Sequence, residues 1–274
     1  VVRGCPQGSI CGPYIWNLMI DPLLRSLATS HQLCAYADDL LILIEGQSRA
    51  ELERKGEQVM LEVSEWGNRV GVEVSREKTV MMLLKGTLSL SRPPVIRFGD
   101  VSLRYVTQVK YLGITMSERM SFLLHFSVVR EKLTAVVGRV RRILRCDWGL
   151  SRRAVRTIYE GLFVACATFG SSVLYDTVMT VVGKARLLTC QRVAMLACMP
   201  VCHTVSTDAL QVLLGAAPLD LEVIRRGIAF KVKKGLPLHE RDWISTSDVE
   251  GLDSRRTRLL LDGHLVTRWR SRWT

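Results

Sequence analysis

From Cys34 to Ile44 the chain is apolar or aromatic at every position except Asp38 and Asp39. The run is too short to cross a bilayer and rich in strand-compatible residues, so it predicts two buried strands joined at 37–39, with both acids at a hairpin tip. Upstream, Gly12-Pro13 suits the start of a helix, because proline at the first helical position gives up no useful hydrogen bond. Ile15, Leu18, Met19, Leu23 and Leu27 supply its predicted buried stripe, and Pro22 a predicted stop or kink. Downstream, Ser48 followed by Glu51 resembles a capping box. Leu52, Val59, Met60, Val63 and Trp66 then fall on one helical face, and that helix is expected to pack under the hairpin. Val72, Val74 and the run 79–84 predict further strands, with Lys78 at the entrance to the second.

Pro93-Pro94 breaks the chain, Gly99-Asp100 predicts a turn between short strands, and 109–115 predicts another strand around Tyr111-Leu112-Gly113. Beyond it the period becomes helical. Over 122–145, Val129, Leu133, Val136, Val137, Val140 and Leu144 form a buried side, while Arg130, Lys132, Arg139, Arg141, Arg142 and Arg145 lie elsewhere. A second helical stretch covers 152–169, and 161–174 is apolar but too short and too interrupted by Gly170, Ser171 and Ser172 for a membrane span. A helix over 184–199 ends at Pro200, and Ser206 or Thr207 caps 208–214 before Gly215. The tail from 219 carries a basic helical patch and ends in an arginine- and tryptophan-rich cluster that includes Trp269 and Trp273. The expected class is α+β: antiparallel sheet with helices first, then mainly helix.

Charge narrows the functional classes. In 274 residues, 38 Lys and Arg against 26 Asp and Glu leave a net charge of +12, which favours polyanions, with nucleic acid the leading one. The eight cysteines show no paired spacing, and no signal peptide or long apolar stretch is present, so reduced thiols and an intracellular protein are expected. Cys198, Cys202 and His203 lack a fourth ligand at finger-like spacing and read as packing residues. Carboxylates such as Asp38 and Asp39, if buried unpaired, would cost several kcal/mol, and a divalent cation is the simplest compensation. Near the start, Gly8 permits close backbone approach to a ligand while Gln7 and Ser9 offer hydrogen bonds, although the same residues also make an ordinary loop. The chain begins inside that loop and reads as a fragment.

The order of a Pro6-Gln7-Gly8-Ser9 loop, a moderate helix and Tyr36-Ala37-Asp38-Asp39 resembles a reverse transcriptase palm. Residues 3–9, Gly12-Pro13-Tyr14-Ile15-Trp16-Asn17, Gly71-Val72-Glu73-Val74-Ser75 with Glu77-Lys78-Thr79, and Tyr111-Leu112-Gly113 resemble non-LTR retrotransposons. The likeness is strongest to the arthropod type-1 elements that insert into ribosomal RNA genes, and it continues through 153–167 and 201–221. It implies a partial palm over 1–117, a thumb with following helices over 118–218, and the start of a nucleic-acid-binding region over 219–274.

The implied activity is RNA-directed DNA polymerisation, in which a primer 3′-hydroxyl attacks a deoxynucleotide α-phosphate with two magnesium ions at the attacking and leaving oxygens. By this resemblance Asp38 is the principal metal ligand and Asp39 an accessory one, while Lys78 steadies or protonates departing pyrophosphate. Tyr36 and Ala37 shape the primer end; Gln7, Gly8 and Ser9 border template and nucleotide; Tyr111, Leu112 and Gly113 form the primer grip. Arg139, Arg141 and Arg142 track duplex phosphates. A further palm aspartate, the fingers and an endonuclease are expected upstream, and a Cys/His knuckle beyond Thr274, so the fragment alone is expected to be inactive. The implied partners are RNA template, DNA primer or target DNA and deoxynucleoside triphosphates, with no membrane, and the implied location is the nucleus, on chromosomal ribosomal DNA. A noncatalytic nucleic-acid-binding relative, maturase-like or decayed, is the alternative. A protein-interaction scaffold, which would show no salt-sensitive nucleic-acid binding, comes third.

Overall fold

The computed structural model describes residues 8–84, 92–144, 151–199 and 201–273, leaving the side chains of 140–144 and 152 aside. It divides into two compact units, Val1–Val109 and Lys110–Thr274. Helix α1, Gly12–Ala28, opens on Pro13 and runs through Pro22 without ending. Its buried positions are Ile20, Leu23 and Leu27, with Trp16 partly buried one turn earlier. This corrects the expected stripe: Ile15 and Leu18 are exposed, because Trp16, Ile20, Leu23 and Leu27 are the set at helical spacing that meets helix α2.

Strands β1, Gln32–Tyr36, and β2, Asp39–Leu43, pair antiparallel with Cys34 opposite Leu41 and Tyr36 opposite Asp39. Helix α2, Arg49–Val70, begins where Ser48 Oγ accepts the Glu51 amide at 3.2 Å, while the Glu51 carboxylate reaches back to the Gln47 amide at 2.8 Å. Val59, Val63 and Trp66 of α2 join Ile20, Leu23 and Leu27 in one cluster, and Leu33, Leu40 and Ile42 of the hairpin pack against it. The predicted helix-under-hairpin arrangement is therefore present. The hairpin is not buried on both faces, however. Cys34, Tyr36 and Leu41 lie on the side away from the cluster and are exposed, since no further strand pairs with β1 or β2 among the described residues.

The strand expected from Val72 and Val74 is also absent: the Val72 amide bonds Gly67 O as part of the helix end, and Val72 and Val74 pack onto the same cluster. Strand β3 covers only Val80–Met81. Strands β4, Arg97–Phe98, and β5, Val101–Ser102, form a small hairpin around Gly99, and β6, Arg104–Tyr105, pairs in parallel with β3.

Strands β7, Gln108–Tyr111, and β8, Ile114–Ser117, precede a helical assembly. It comprises α3 Leu123–Leu144, α4 Arg152–Ile158, a π-helical segment Tyr159–Val164, α5 Ala165–Ala167, α6 Ser171–Val178 and α7 Val181–Cys198. Helices α8 Thr207–Leu214, α9 Leu219–Lys234, α10 Thr246–Val249 and α11 Ser254–Arg270 complete it. One buried cluster runs through Phe126, Leu133, Phe163, Leu187, Ile228 and Leu261. Of the expected α3 stripe, Val129, Leu133 and Val137 are buried and Val136 packs against them; the side chains of Val140 and Leu144 lie outside the described set.

Two polar networks sit inside this core. Gln191, fully buried, donates to Tyr159 Oη at 3.0 Å and Ala217 O at 2.8 Å, and accepts from Gln211 Nε2 at 2.9 Å and the Leu219 amide at 3.0 Å. All four of its hydrogen-bonding positions are used, so burying the amide costs little and the π-helical segment, α7, α8 and α9 are locked in one register. Asp242 accepts from Tyr175 Oη, from the His239 amide at 2.8 Å and from Lys231 Nζ at 3.1 Å. Burial alone would raise its carboxyl, but these three donors together hold it below the usual carboxylate range. Among the described residues no single helix is long and apolar enough to cross a membrane. Arg153–Ala167 and Ser171–Val178, the apolar pair, meet at a bend of 78°, and their Phe163, Ala167 and Leu174 belong to the core.

Candidate active-site hairpin

A two-residue loop, Ala37-Asp38, joins β1 to β2, with Ala37 at φ +52°. Tight hairpins of this kind require a positive φ, which is uncommon for a residue with a Cβ and costs of order 1–3 kcal/mol. What holds it is Trp16: its indole N–H donates to the Ala37 carbonyl at 2.7 Å. Trp16 in turn meets Trp66 edge to face at 6.3 Å, and Trp66 Nε1 donates to Met19 O at 3.0 Å. The tip is thereby anchored to α1 and α2 through two tryptophans. Sequence reasoning quoted Trp16 within its motif but assigned it no role; an indole four residues after a helix start, beside a strained turn, is the signal that would have found it.

Asp38 occupies the turn and Asp39 opens β2 beside Tyr36, which is 65 % exposed. Both carboxylates are exposed, and no hydrogen bond or ion pair engages either one among the described residues. The expectation that burial forces a counter-charge here is therefore corrected, because a solvated carboxylate pays no desolvation penalty. Their fitness for a cation rests instead on availability: two neighbouring, uncommitted carboxylates on a braced turn are hard oxygen donors of the kind magnesium takes one or two of. No group of three or more His, Cys, Asp or Glu side chains able to hold a metal occurs among the described residues, so Cys198, Cys202 and His203 do not assemble one.

The remaining expected residues are distributed. Gly8, at φ +84°, and Ser9 lie just ahead of α1, where Ser9 Oγ accepts the Gly12 amide at 3.2 Å; Gln7 lies outside the described residues. Lys78 is exposed in the turn 76–78 before β3, its amide directed at Ser75 Oγ at 3.4 Å. Tyr111, Leu112 and Gly113 do not form one strand as expected. Tyr111 ends β7, and Leu112 and Gly113, at φ +46° and +87°, make a two-residue turn into β8. A Cβ on Gly113 would stand 3.0 Å from Cε1 of the exposed Phe169 ring, which can give way, so it is the positive φ that calls for glycine. Arg139 is exposed on α3, and the side chains of Arg141 and Arg142 lie outside the described set.

Residues 1–116 match the family described as reverse transcriptase (RNA-dependent DNA polymerase), which contains the braced hairpin and the Lys78 turn. The chain is 51 % identical over 273 residues to the 115 kDa protein in type-1 retrotransposable element R1DM of Drosophila melanogaster, covering all of this chain and 26 % of that one. It is 43 % identical to a Pol polyprotein from element R1 of Bradysia coprophila, of which it spans 27 %. It is 39 % identical to one from element R1 of Nasonia vitripennis, covering 98 % of this chain and 81 % of that relative. The chain belongs to the Pol polyproteins of type-1 R1 retrotransposable elements, and it spans about a quarter of the first two relatives. No solved structure matches it.

Proposed function

We propose that this chain is the catalytic-hairpin and thumb portion of an RNA-directed DNA polymerase that copies retrotransposon RNA into DNA from a primer. The observation that carries this reading is the exposed, uncommitted Asp38–Asp39 pair on a turn braced by Trp16, within the stretch that matches the reverse transcriptase family. Reverse transcriptases use divalent metal ions, and magnesium suits this donor pair because nucleotide phosphates and water complete its octahedron. When bound, it supplies Lewis-acid stabilisation of the attacking and leaving oxygens.

The protein's own residues divide the remaining work. Asp38 holds negative charge at the apex and Asp39 extends the donor set. Tyr36, beside Asp39, offers a flat face to the primer terminus, and Gly8 and Ser9 border template and nucleotide with Gln7. Lys78, exposed and unpaired among the described residues, supplies a mobile cation for pyrophosphate. The glycine turn 112–113 is the primer grip, and α3, with Arg139, Arg141 and Arg142, is a thumb helix over the duplex backbone. RNA template, DNA primer at the target and deoxynucleoside triphosphates are the substrates of the parent polyprotein, which also carries an endonuclease and works in the nucleus on ribosomal DNA.

The test is the parent polyprotein on an RNA template with a DNA primer and magnesium. Template-dependent incorporation of deoxynucleotides supports the reading. Tight, salt-sensitive template–primer binding with no incorporation would replace it with the noncatalytic relative.

A further inference from the structure

Within the helical unit, partly inside the stretch 219–274 that the resemblance assigns to nucleic-acid binding, α4, the π-helical segment, α9, α11 and the turn at Gly215–Ala217 line a cleft of about 410 Å³. That volume lies in the range of about 300–1,000 Å³ found for small-molecule sites. Part of its wall is π-helical, a distortion that recurs at functional sites.

The charge lining the cleft is unbalanced. Arg156, Arg225, Arg226 and Arg258 face only Glu160, Glu222 and Asp262, four guanidiniums against three carboxylates. Arg156 is committed to Glu160 at 2.7 Å, and Arg225 takes Glu222 at 2.9 Å and Asp262 at 3.0 Å. Arg226 reaches the same Glu222 only at 3.7 Å, and Arg258 the same Asp262 only at 4.0 Å. Two carboxylates thus serve three arginines, and the guanidinium N–H groups of Arg226 and Arg258 retain donor capacity.

A second observation points the same way. Trp269 lines the cleft with its indole side chain. Val164, Ala216, Leu265 and Val266 supply an apolar wall beside it. Surplus guanidinium, an indole ring and an apolar wall in one cleft together describe a ligand with a phosphate and a flat heterocycle.

We propose that this cleft binds one nucleotide unit of a single-stranded nucleic acid, with the phosphate on Arg226 and Arg258 and the base against Trp269 and the apolar wall. A stacked, paired base cannot enter such a recess, whereas unpaired bases are read by aromatic and guanidinium contacts in this way. The site deepens the nucleic-acid reading but is separate from the hairpin and from Arg139, Arg141 and Arg142.

The experiment measures anisotropy of a short fluorescein-labelled RNA single strand titrated with the full 274-residue chain. Parent protein, Arg226→Gln/Arg258→Gln, Trp269→Phe and Trp273→Phe are compared, each also carrying Arg139→Gln/Arg141→Gln/Arg142→Gln. Both arginines are exposed at their side chains, 44 % and 76 %, so the double variant keeps its fold. Affinity is expected to fall roughly tenfold or more in the double variant, by a smaller factor in Trp269→Phe, and not in Trp273→Phe. Adenosine monophosphate as competitor distinguishes the sources: displacement means a free nucleotide suffices, and no displacement with the variant effects intact means the unit is bound only within a strand. Inorganic phosphate competing as well as the mononucleotide would overturn the assignment of a base subsite. Parental affinity in the double variant would overturn the site, while a salt series that shows a smaller slope for the chain carrying only the three α3 substitutions than for the unsubstituted chain would leave the polymerase reading standing.

Discussion

The backbone amide of Thr115 donates to Nδ1 of His125 across 3.3 Å, tying β8 to α3 and fixing the imidazole as the Nε2–H tautomer. His125 is buried and its Nε2 meets no partner, so the neutral ring alone fits this place. Burial pushes its pKa down, and Lys132 adds to the depression.

The sign of the resulting pH effect follows from linkage. The unfolded chain takes up this proton near about pH 6.5 while the native ring resists it, so the contribution is full above that pH and is lost as pH falls toward the depressed native value. His125→Asn keeps an acceptor for Thr115 and removes the titration. The urea midpoint of the parent is expected to drop between about pH 7.5 and 5.5, and the drop to shrink in the variant. An equal drop in both would remove His125 from this role.

Gln191 offers a second test. Gln191→Leu strips partners from Tyr159, Gln211, Ala217 and the Leu219 amide at once. Since each buried group left unsatisfied costs about 1–3 kcal/mol, a loss of at least ~3 kcal/mol is expected by chemical denaturation. A loss within ~1 kcal/mol would mean the network contributes no more than an ordinary apolar contact.

Two helical glycines are expected to respond with opposite sign. A Cβ on Gly183 would lie 1.9 Å from the Thr177 carbonyl oxygen, whereas one on Gly138 meets nothing within 4 Å. Gly138→Ala is expected to stabilise by about 0.5–1 kcal/mol through helix propensity, and Gly183→Ala to destabilise by ~2 kcal/mol or more through backbone displacement. Thermal unfolding of the two variants checks both, and a stabilised Gly183→Ala would contradict the packing at the start of α7.

How much of this was legible beforehand depended on whether the deciding interaction was local. The α2 cap at Ser48, an α8 cap at Ser206 or Thr207 and the stop at Gly215 were read from adjacent residues, and Ser48, Ser206 and Gly215 take those places, because a cap is settled within one turn of chain. The hairpin at 36–39 was legible for the same reason. Its burial was not, since exposure of Cys34, Tyr36 and Leu41 depends on whether another strand covers that face. The strand expected from Val72 and Val74 failed because Val72 is claimed by the end of α2, and Tyr111-Leu112-Gly113 split into strand and turn because two consecutive positive φ values outweigh the apolar pattern. Gln191 acts through partners between 20 and 32 residues away in sequence, and Trp16 through Ala37 and the still more distant Trp66, beyond the reach of periodicity. For the proposed site, Asp38, Asp39 and Lys78 came from motif order, while physical burial was the wrong argument for the acids, which are exposed.

Lys78 is expected to assist rather than to be indispensable. Lys78→Ala in the parent polyprotein should leave a slow enzyme, because positioned acid catalysis contributes about 10²–10⁴-fold. Single-turnover incorporation on a preformed template–primer reads this directly, and an unchanged rate would assign Lys78 to the solvated surface.

Asp38 decides the account. Asp38→Asn preserves the size of the side chain at the turn held by Trp16 while removing the charge that the proposed metal-ligand role requires. In the parent polyprotein, with magnesium and a saturating RNA template–DNA primer, single-turnover incorporation of one deoxynucleotide is the measurement. The predicted result is loss of incorporation with template–primer affinity unchanged; incorporation at the parental rate by Asp38→Asn would contradict the assignment of this hairpin as the polymerase active site.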